Sequence, residues 1–176
     1  FGKSVGSLYG SGLKDGPRSK RIIVEKHCGT DLQSALQLNR DVLAHWDGID
    51  IYRVDHYLGK ETVQNLLAFR FSNAIFEPLW NNHYVDNIQF NVAEAVDVEG
   101  RGGYYDRSGV LRDMIQNHMF QMLAYLCMET PGTLEADAIR NEKAKLLQAV
   151  RIYSPDEVEK YVIRGQYGPQ LDDQGH

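Results

Sequence analysis

Two periods of apolar residues run along the chain, and the pattern changes near its middle. "RIIVEK", residues 21–26, is a short apolar run closed by charge and predicts a buried strand. Behind Asp31, a capping residue type, Leu32, Ala35, Leu36, Leu38, Val42 and Leu43 recur at roughly helical spacing. They predict a helix to about His45, ended by Asp47 and Gly48. "IDIYRVDHY" predicts a second strand, and the helix after it runs from about Lys60 to Ile75 until "FEPLWNN" breaks the pattern at Pro78. The order strand, helix, strand, helix favours a parallel α/β unit.

"VDNIQFNVAEAV" alternates like a strand, and "EGRGGYYDRSG" is a glycine-rich turn or short helix that leads into "LRDMIQNHMFQMLAYLCME". The last stretch is apolar on most faces, through Met114, Ile115, Met119, Met122, Leu123 and Leu126. It predicts a core helix stopped by Thr130 and Pro131. Residues 135–150 predict an amphipathic helix carrying Glu142, Lys143 and Lys145, and "EKYVIRGQYG" predicts one more strand. The expected fold is therefore α/β plus α+β, with residues 1–80 in the first part and 81–176 in the second.

Composition narrows the class. A net charge of −5 without a Lys/Arg block argues against nucleic acid as a partner. Cys28 and Cys127 are too few and too far apart for a disulfide framework or a paired metal site, so no metal is expected and a reducing, cytoplasmic setting fits. No apolar run approaches the ~20 residues that span a bilayer, and "FGKSVGSLYGSG" lacks the apolar middle of a signal peptide. "KDGPRSK" marks a turn before the first strand.

The stretch "YRVDHYLGKE", residues 52–61, crowds Asp55, His56, Tyr57, Lys60 and Glu61 behind an apolar run. A helix starting there would let His56 and Lys60 face one way beside unpaired backbone N–H groups, which suits a phosphate; a surface helix with an ordinary cap is the other reading. His118 sits in an apolar helix, where an imidazole needs partners for both nitrogens, as a core hydrogen-bonder or as a general base. Asp113 reads as a helix cap, and Glu94 is an odd carboxylate in an apolar strand. Together with Lys26 at a strand end, these groups suit a polyhydroxylated phosphate: cations for the phosphate, carboxylates for hydroxyls and a histidine for proton removal.

"RIIVEK", "YRVDHYLGKE", "EGRGGYYD" and "RDMIQNHMFQ" closely resemble the glucose-6-phosphate dehydrogenase family, in the family's order and approximate spacing; "LWNNHYVDNIQF" and "AIRNEKAKLLQAV" resemble it as well. The resemblance covers about Arg21 to Gly168 and implies the end of a Rossmann-like coenzyme domain, followed by the first part of a substrate domain of helices and antiparallel sheet. It implies His118 as the general base at the C1 hydroxyl and Asp55 as the carboxylate that orients it. It implies His56, Tyr57 and Lys60 at the 6-phosphate, Glu94 and Asp113 at sugar hydroxyls, and Lys26 between sugar and coenzyme. The implied coenzyme is NADP, with NAD open, the substrate is glucose 6-phosphate, and the full-length protein is expected to be a homo-oligomer.

Two departures stand out. "EKHCG" places His27 and Cys28 where the family continues with Pro and Phe, which removes a fixed backbone angle beside the nicotinamide. The strand, glycine turn and helix that hold the coenzyme diphosphate are not found, since Gly10 and Gly12 in "GSGLKDG" are wrongly spaced, and a central segment of a longer chain is expected. A sugar-phosphate-binding or assembly module without hydride transfer, and an isomerase using the same base, are the other readings.

Overall fold

The computed structural model describes residues 6–7, 10–12, 20–25, 29–94 and 97–168 of the chain. Strand β1 (Ile22–Val24) pairs in parallel with β2 (Ile51–Arg53), Ile22 opposite Ile51 and Val24 opposite Arg53. Helix α1 (Leu32–Leu43) makes the crossover that parallel neighbours require. Its first turn closes in a capping box, with Ser34 N–H donating to Asp31 Oδ1 at 2.7 Å and Asp31 N–H donating to Ser34 Oγ at 3.1 Å. Gly29 has a φ of +99°, and an added Cβ would meet Ala35 N at 2.5 Å, so the turn into α1 needs glycine for both conformation and closeness.

Val24, Val42, Trp46 and Ile51 form the core of this half, with Ile22 and Leu38 packed against them. The strand expected to be buried is only partly so: Val24 is covered, whereas Ile23 is exposed. A pleated strand turns successive side chains to opposite faces, and α1 covers one of them. The second strand is also shorter than expected, since Gly48–Asp50 before it and His56–Gly59 after it are 3₁₀ turns.

Helix α2 (Glu61–Phe71) follows and buries Val63 and Arg70, seven positions apart and so on one face. Helix α3 (Gly102–Val110) bends at Gly109, whose φ is +66°. The chain then winds as a π-helical stretch over Leu111–Met119 before tightening into α4 (Phe120–Cys127). The N–H of Phe120 still donates to Ile115 O, five residues back. Asp113 therefore sits near a helix start, as expected, but does not cap it: the cap position is Val110, and Asp113 is buried in the first turn after the break at Gly109.

Two side chains from the first half close the end of α4. Arg70 Nη1 donates to Tyr125 O at 3.0 Å and Met128 O at 2.8 Å, and Trp80 Nε1 donates to Leu126 O at 2.5 Å. These carbonyls lie in the last turn, where no intrahelical N–H reaches them. Helix α5 (Ala136–Ala149) packs on α4, and α6 (Pro155–Tyr161) starts with a Ser154–Glu157 capping box.

Two expected strands are absent among the described residues. Residues 85–94 are irregular, and the stretch 159–168 is helical to Tyr161 and irregular afterwards. An extended segment satisfies its backbone groups as a strand only beside a partner, and Ile163 at 98% exposure and Tyr167 at 61% have no sheet over them.

Candidate active site

β2 runs directly into the site. Asp55 stops the strand and caps the 3₁₀ turn His56–Gly59, accepting from Tyr57 N–H at 3.0 Å through Oδ1. The same Oδ1 lies 2.5 Å from His118 Nδ1. One carboxylate oxygen thus ties the turn to the π-helical stretch. His118 is fully buried, and Asp55 Oδ2 is buried with no hydrogen-bond partner among the described residues. A carboxylate beside Nδ1 favours the tautomer that carries its proton there, which makes Nε2 the more basic ring nitrogen.

Tyr57 stacks on the imidazole, with ring centroids 4.2 Å apart and planes at 16°. Lys60 Nζ stands 3.6 Å from the Tyr57 ring centroid. Two groups so close cannot share one face, so the phenol ring lies between imidazole and ammonium. His56, exposed, meets His118 edge-on at 4.6 Å. Tyr57 Oη donates to Glu94 Oε1 at 2.7 Å. Burial first, then the Glu94 carboxylate, pushes the Tyr57 phenol up to about 12, so it remains a donor through the neutral range.

Asp113 accepts from Tyr104 Oη at 3.2 Å, and Ser108 Oγ donates to Tyr104 Oη at 3.2 Å. Asp113 and His118 are five residues apart. At ~100° per residue an α-helix would turn them ~140° from each other; the wider π turn puts both on the buried side.

The structure therefore gathers Asp55, His56, Tyr57, Lys60, Glu94 and His118 at one place, with Asp113 a turn away on the same helical run. Glu94 is there from an exposed, irregular segment and not from an inner strand. Lys60 is the last residue before α2 and faces Tyr57, not His56 at helical spacing. Lys26, with His27 and Cys28, lies outside the described residues. Sequence reasoning missed Tyr104 and Ser108 behind Asp113, which carry no signal beyond being hydroxyls in a glycine-rich stretch.

Residues 1–65 match the NAD binding domain of glucose-6-phosphate dehydrogenase, and residues 67–175 match its C-terminal domain. The chain belongs to the glucose-6-phosphate dehydrogenase family. The junction of the two matches falls inside α2. Glucose-6-phosphate 1-dehydrogenase of Rhizobium meliloti is 51% identical over 150 residues, covering 85% of this chain and 30% of the relative. That of Bacillus subtilis is 48% identical over 167 residues, covering 95% and 34%. The chain spans about a third of the length of these dehydrogenases. Among solved structures, glucose-6-phosphate 1-dehydrogenase from Mycobacterium avium superposes with a TM-score of 0.77 at 37% identity, over 89% of this chain and 34% of that one. A glucose-6-phosphate dehydrogenase in complex with its substrate glucose 6-phosphate superposes at 0.66 and 39% identity, over 79% and 30%.

The one helix start in the described part of the NAD binding domain's βαβ unit does not fit a coenzyme diphosphate. Its Ser34 N–H is already bonded to Asp31, and the Gly29 turn is filled by Ala35. Among the described residues no group of His, Cys, Asp and Glu could hold a metal ion, and no helix is long and apolar enough to cross a membrane.

Proposed function

We propose that this chain is the central part of an oxidoreductase that oxidises glucose 6-phosphate at C1 to the 6-phosphogluconolactone, with NADP, or NAD in its place, as hydride acceptor. The observation that carries the reading is the 2.5 Å contact between buried His118 and Asp55 in a chain of this family. Nε2 of His118 removes the C1 hydroxyl proton as the C1–O bond becomes a carbonyl and hydride leaves C1. Asp55 holds the Nδ1–H tautomer and stabilises the imidazolium that forms. The coenzyme, when bound, takes up the hydride, held by residues outside those described.

His56, Tyr57 and Lys60 bind the 6-phosphate, Glu94 and Asp113 meet sugar hydroxyls, and Lys26 lies between sugar and coenzyme. For Tyr57 and Glu94 this means that the bond now joining them opens or is shared when the sugar enters. The antiparallel sheet of the substrate domain forms when the segment after Tyr161 finds its partners in the longer protein, which we infer to be a homo-oligomer. A binding module without hydride transfer would have no use for a buried proton acceptor with an oriented tautomer.

The test is absorbance of reduced nicotinamide from a full-length chain carrying this segment, offered glucose 6-phosphate with NADP or NAD. No reduction with either coenzyme overturns the reading. In the same protein Lys60→Ala should weaken glucose 6-phosphate by roughly 1.5–3 kcal/mol, because a charge-assisted bond to the phosphate is lost, and leave unphosphorylated glucose nearly unaffected. Calorimetry with both sugars checks it; equal losses would make Lys60 a prop for the Tyr57 ring.

A further inference from the structure

Asp113 is held by two hydroxyls that the chemistry above does not use. Tyr104 Oη donates to Asp113 Oδ1 at 3.2 Å, and Ser108 Oγ donates to Tyr104 Oη at 3.2 Å. Tyr104 and Ser108 are both half-buried on α3, and Asp113 is buried. A phenol has one proton to give. The bond from Ser108 takes the accepting side of Tyr104 Oη, so that proton is directed at the carboxylate. Tyr105, next in sequence, is engaged elsewhere: its ring meets Tyr167 edge-on at 5.6 Å. In the stretch "GGYYD" nothing tells the two tyrosines apart.

The contact exists because the helix breaks. Tyr104 and Asp113 are nine positions apart. In an unbroken α-helix that spacing means opposite faces and ~13 Å along the axis, beyond the reach of a tyrosine. Gly109 lies between them with φ +66° and ψ 170°, a backbone conformation open essentially to glycine alone. An added Cβ there would meet nothing within 4 Å, so glycine is required for its conformation and not for space. The break lets the stretch that starts at Leu111 bring Asp113 back to the Tyr104 hydroxyl.

We propose that Tyr104 is a positioning residue for Asp113: aimed by Ser108, it fixes the plane of the carboxylate so that one particular sugar hydroxyl is met, and so takes part in choosing among sugar phosphates. The proposal rests on the sugar-binding role given to Asp113 above. The terminal torsion of an aspartate is broad and roughly two-fold, so burial alone does not set where its oxygens point. A donor held on Oδ1 does. The incoming hydroxyl then meets an acceptor already aligned, and the cost of ordering that side chain does not fall on binding.

The experiment uses the full-length protein and measures, by calorimetry, binding of glucose 6-phosphate and of its 2-deoxy, 3-deoxy and 4-deoxy analogues to the parent, Tyr104→Phe, Asp113→Asn and the double variant. Tyr104→Phe keeps the ring and drops only the hydroxyl. It should weaken glucose 6-phosphate by about tenfold, the size of one lost bond to a charged group. One deoxy analogue, the one whose binding Asp113→Asn leaves unchanged, should bind Tyr104→Phe and parent alike, and the double variant should be no weaker than Asp113→Asn alone. Tyr105→Phe should change none of these affinities. If Tyr104→Phe does not fold, Ser108→Ala, which removes the bond that aims the phenol, should show the same hydroxyl-specific pattern at smaller size. Equal losses for all four sugars, or no loss, overturn the proposal in a parent that reduces coenzyme. The hydroxyl-specific pattern in a protein that reduces no coenzyme upholds it and overturns the proposed oxidation instead, and a parent that binds none of the sugars overturns both.

Discussion

Replacing His118 by asparagine in the full-length protein is expected to lower turnover by on the order of 10²–10⁴ while glucose 6-phosphate still binds. The amide fills nearly the same space and can still hydrogen-bond to Asp55 and stack beneath Tyr57, so the site keeps its shape. What it cannot do is accept the C1 hydroxyl proton. Asp55→Asn should slow turnover by a smaller factor, because the base stays but its tautomer and the charge of its protonated form lose support. The double variant should be no slower than His118→Asn alone, since both changes act through one imidazole. Steady-state kinetics with calorimetric binding on the three variants decides it. Near-normal turnover in His118→Asn would make the histidine a satisfied core residue and remove the proton acceptor from the mechanism.

The largest expected loss of stability lies away from the chemistry, at Arg70. Arg70→Met removes both donors that Arg70 supplies to Tyr125 O and Met128 O and leaves those carbonyls without them in a buried place. Glu77, 3.8 Å from the guanidinium, loses its cation as well. Breaking a buried charged network of this kind costs roughly 3–5 kcal/mol, far more than the loss of the apolar stem, which Met largely replaces. Urea unfolding of the full-length protein measures it, with Glu77→Gln, at a half-exposed position, as a comparison expected to cost much less. A midpoint for Arg70→Met as high as that of the comparison would mean that water satisfies the end of α4.

What could be read in the sequence was whatever depends on near neighbours. The Asp31 cap, helix α1, the parallel order of β1 and β2 and helix α5 follow from local spacing and turn chemistry, and all appear close to where the spacing puts them. The crowding of polar groups in residues 52–61 was visible for the same reason.

Features that depend on distant partners were not visible. Arg70 looks like an ordinary helix-surface charge until α4 supplies carbonyls for it. Glu94 looked like part of an inner strand, yet its segment is irregular and its carboxylate is fixed by a tyrosine 37 residues earlier. The π winding of Leu111–Met119 changes which residues share a face without changing their identity, so a 3.6-residue period leaves Asp113 and His118 on different sides. The stretch 162–168 has the composition of a strand but nothing among the described residues to pair with.

Asp55 Oδ1 serves two elements at once, the turn that presents His56, Tyr57 and Lys60 and the imidazole of His118. On the proposed reading these are the two ends of the substrate's reach, phosphate at one and reacting hydroxyl at the other. Because a single oxygen anchors both, the gap between them is set by the backbone of one short turn and has little slack. The site then acts as a gauge of molecular length: a sugar phosphate one carbon shorter, seated by its phosphate, would hold its anomeric hydroxyl short of Nε2, and selectivity among sugars would come from reach as much as from any contact to an individual hydroxyl.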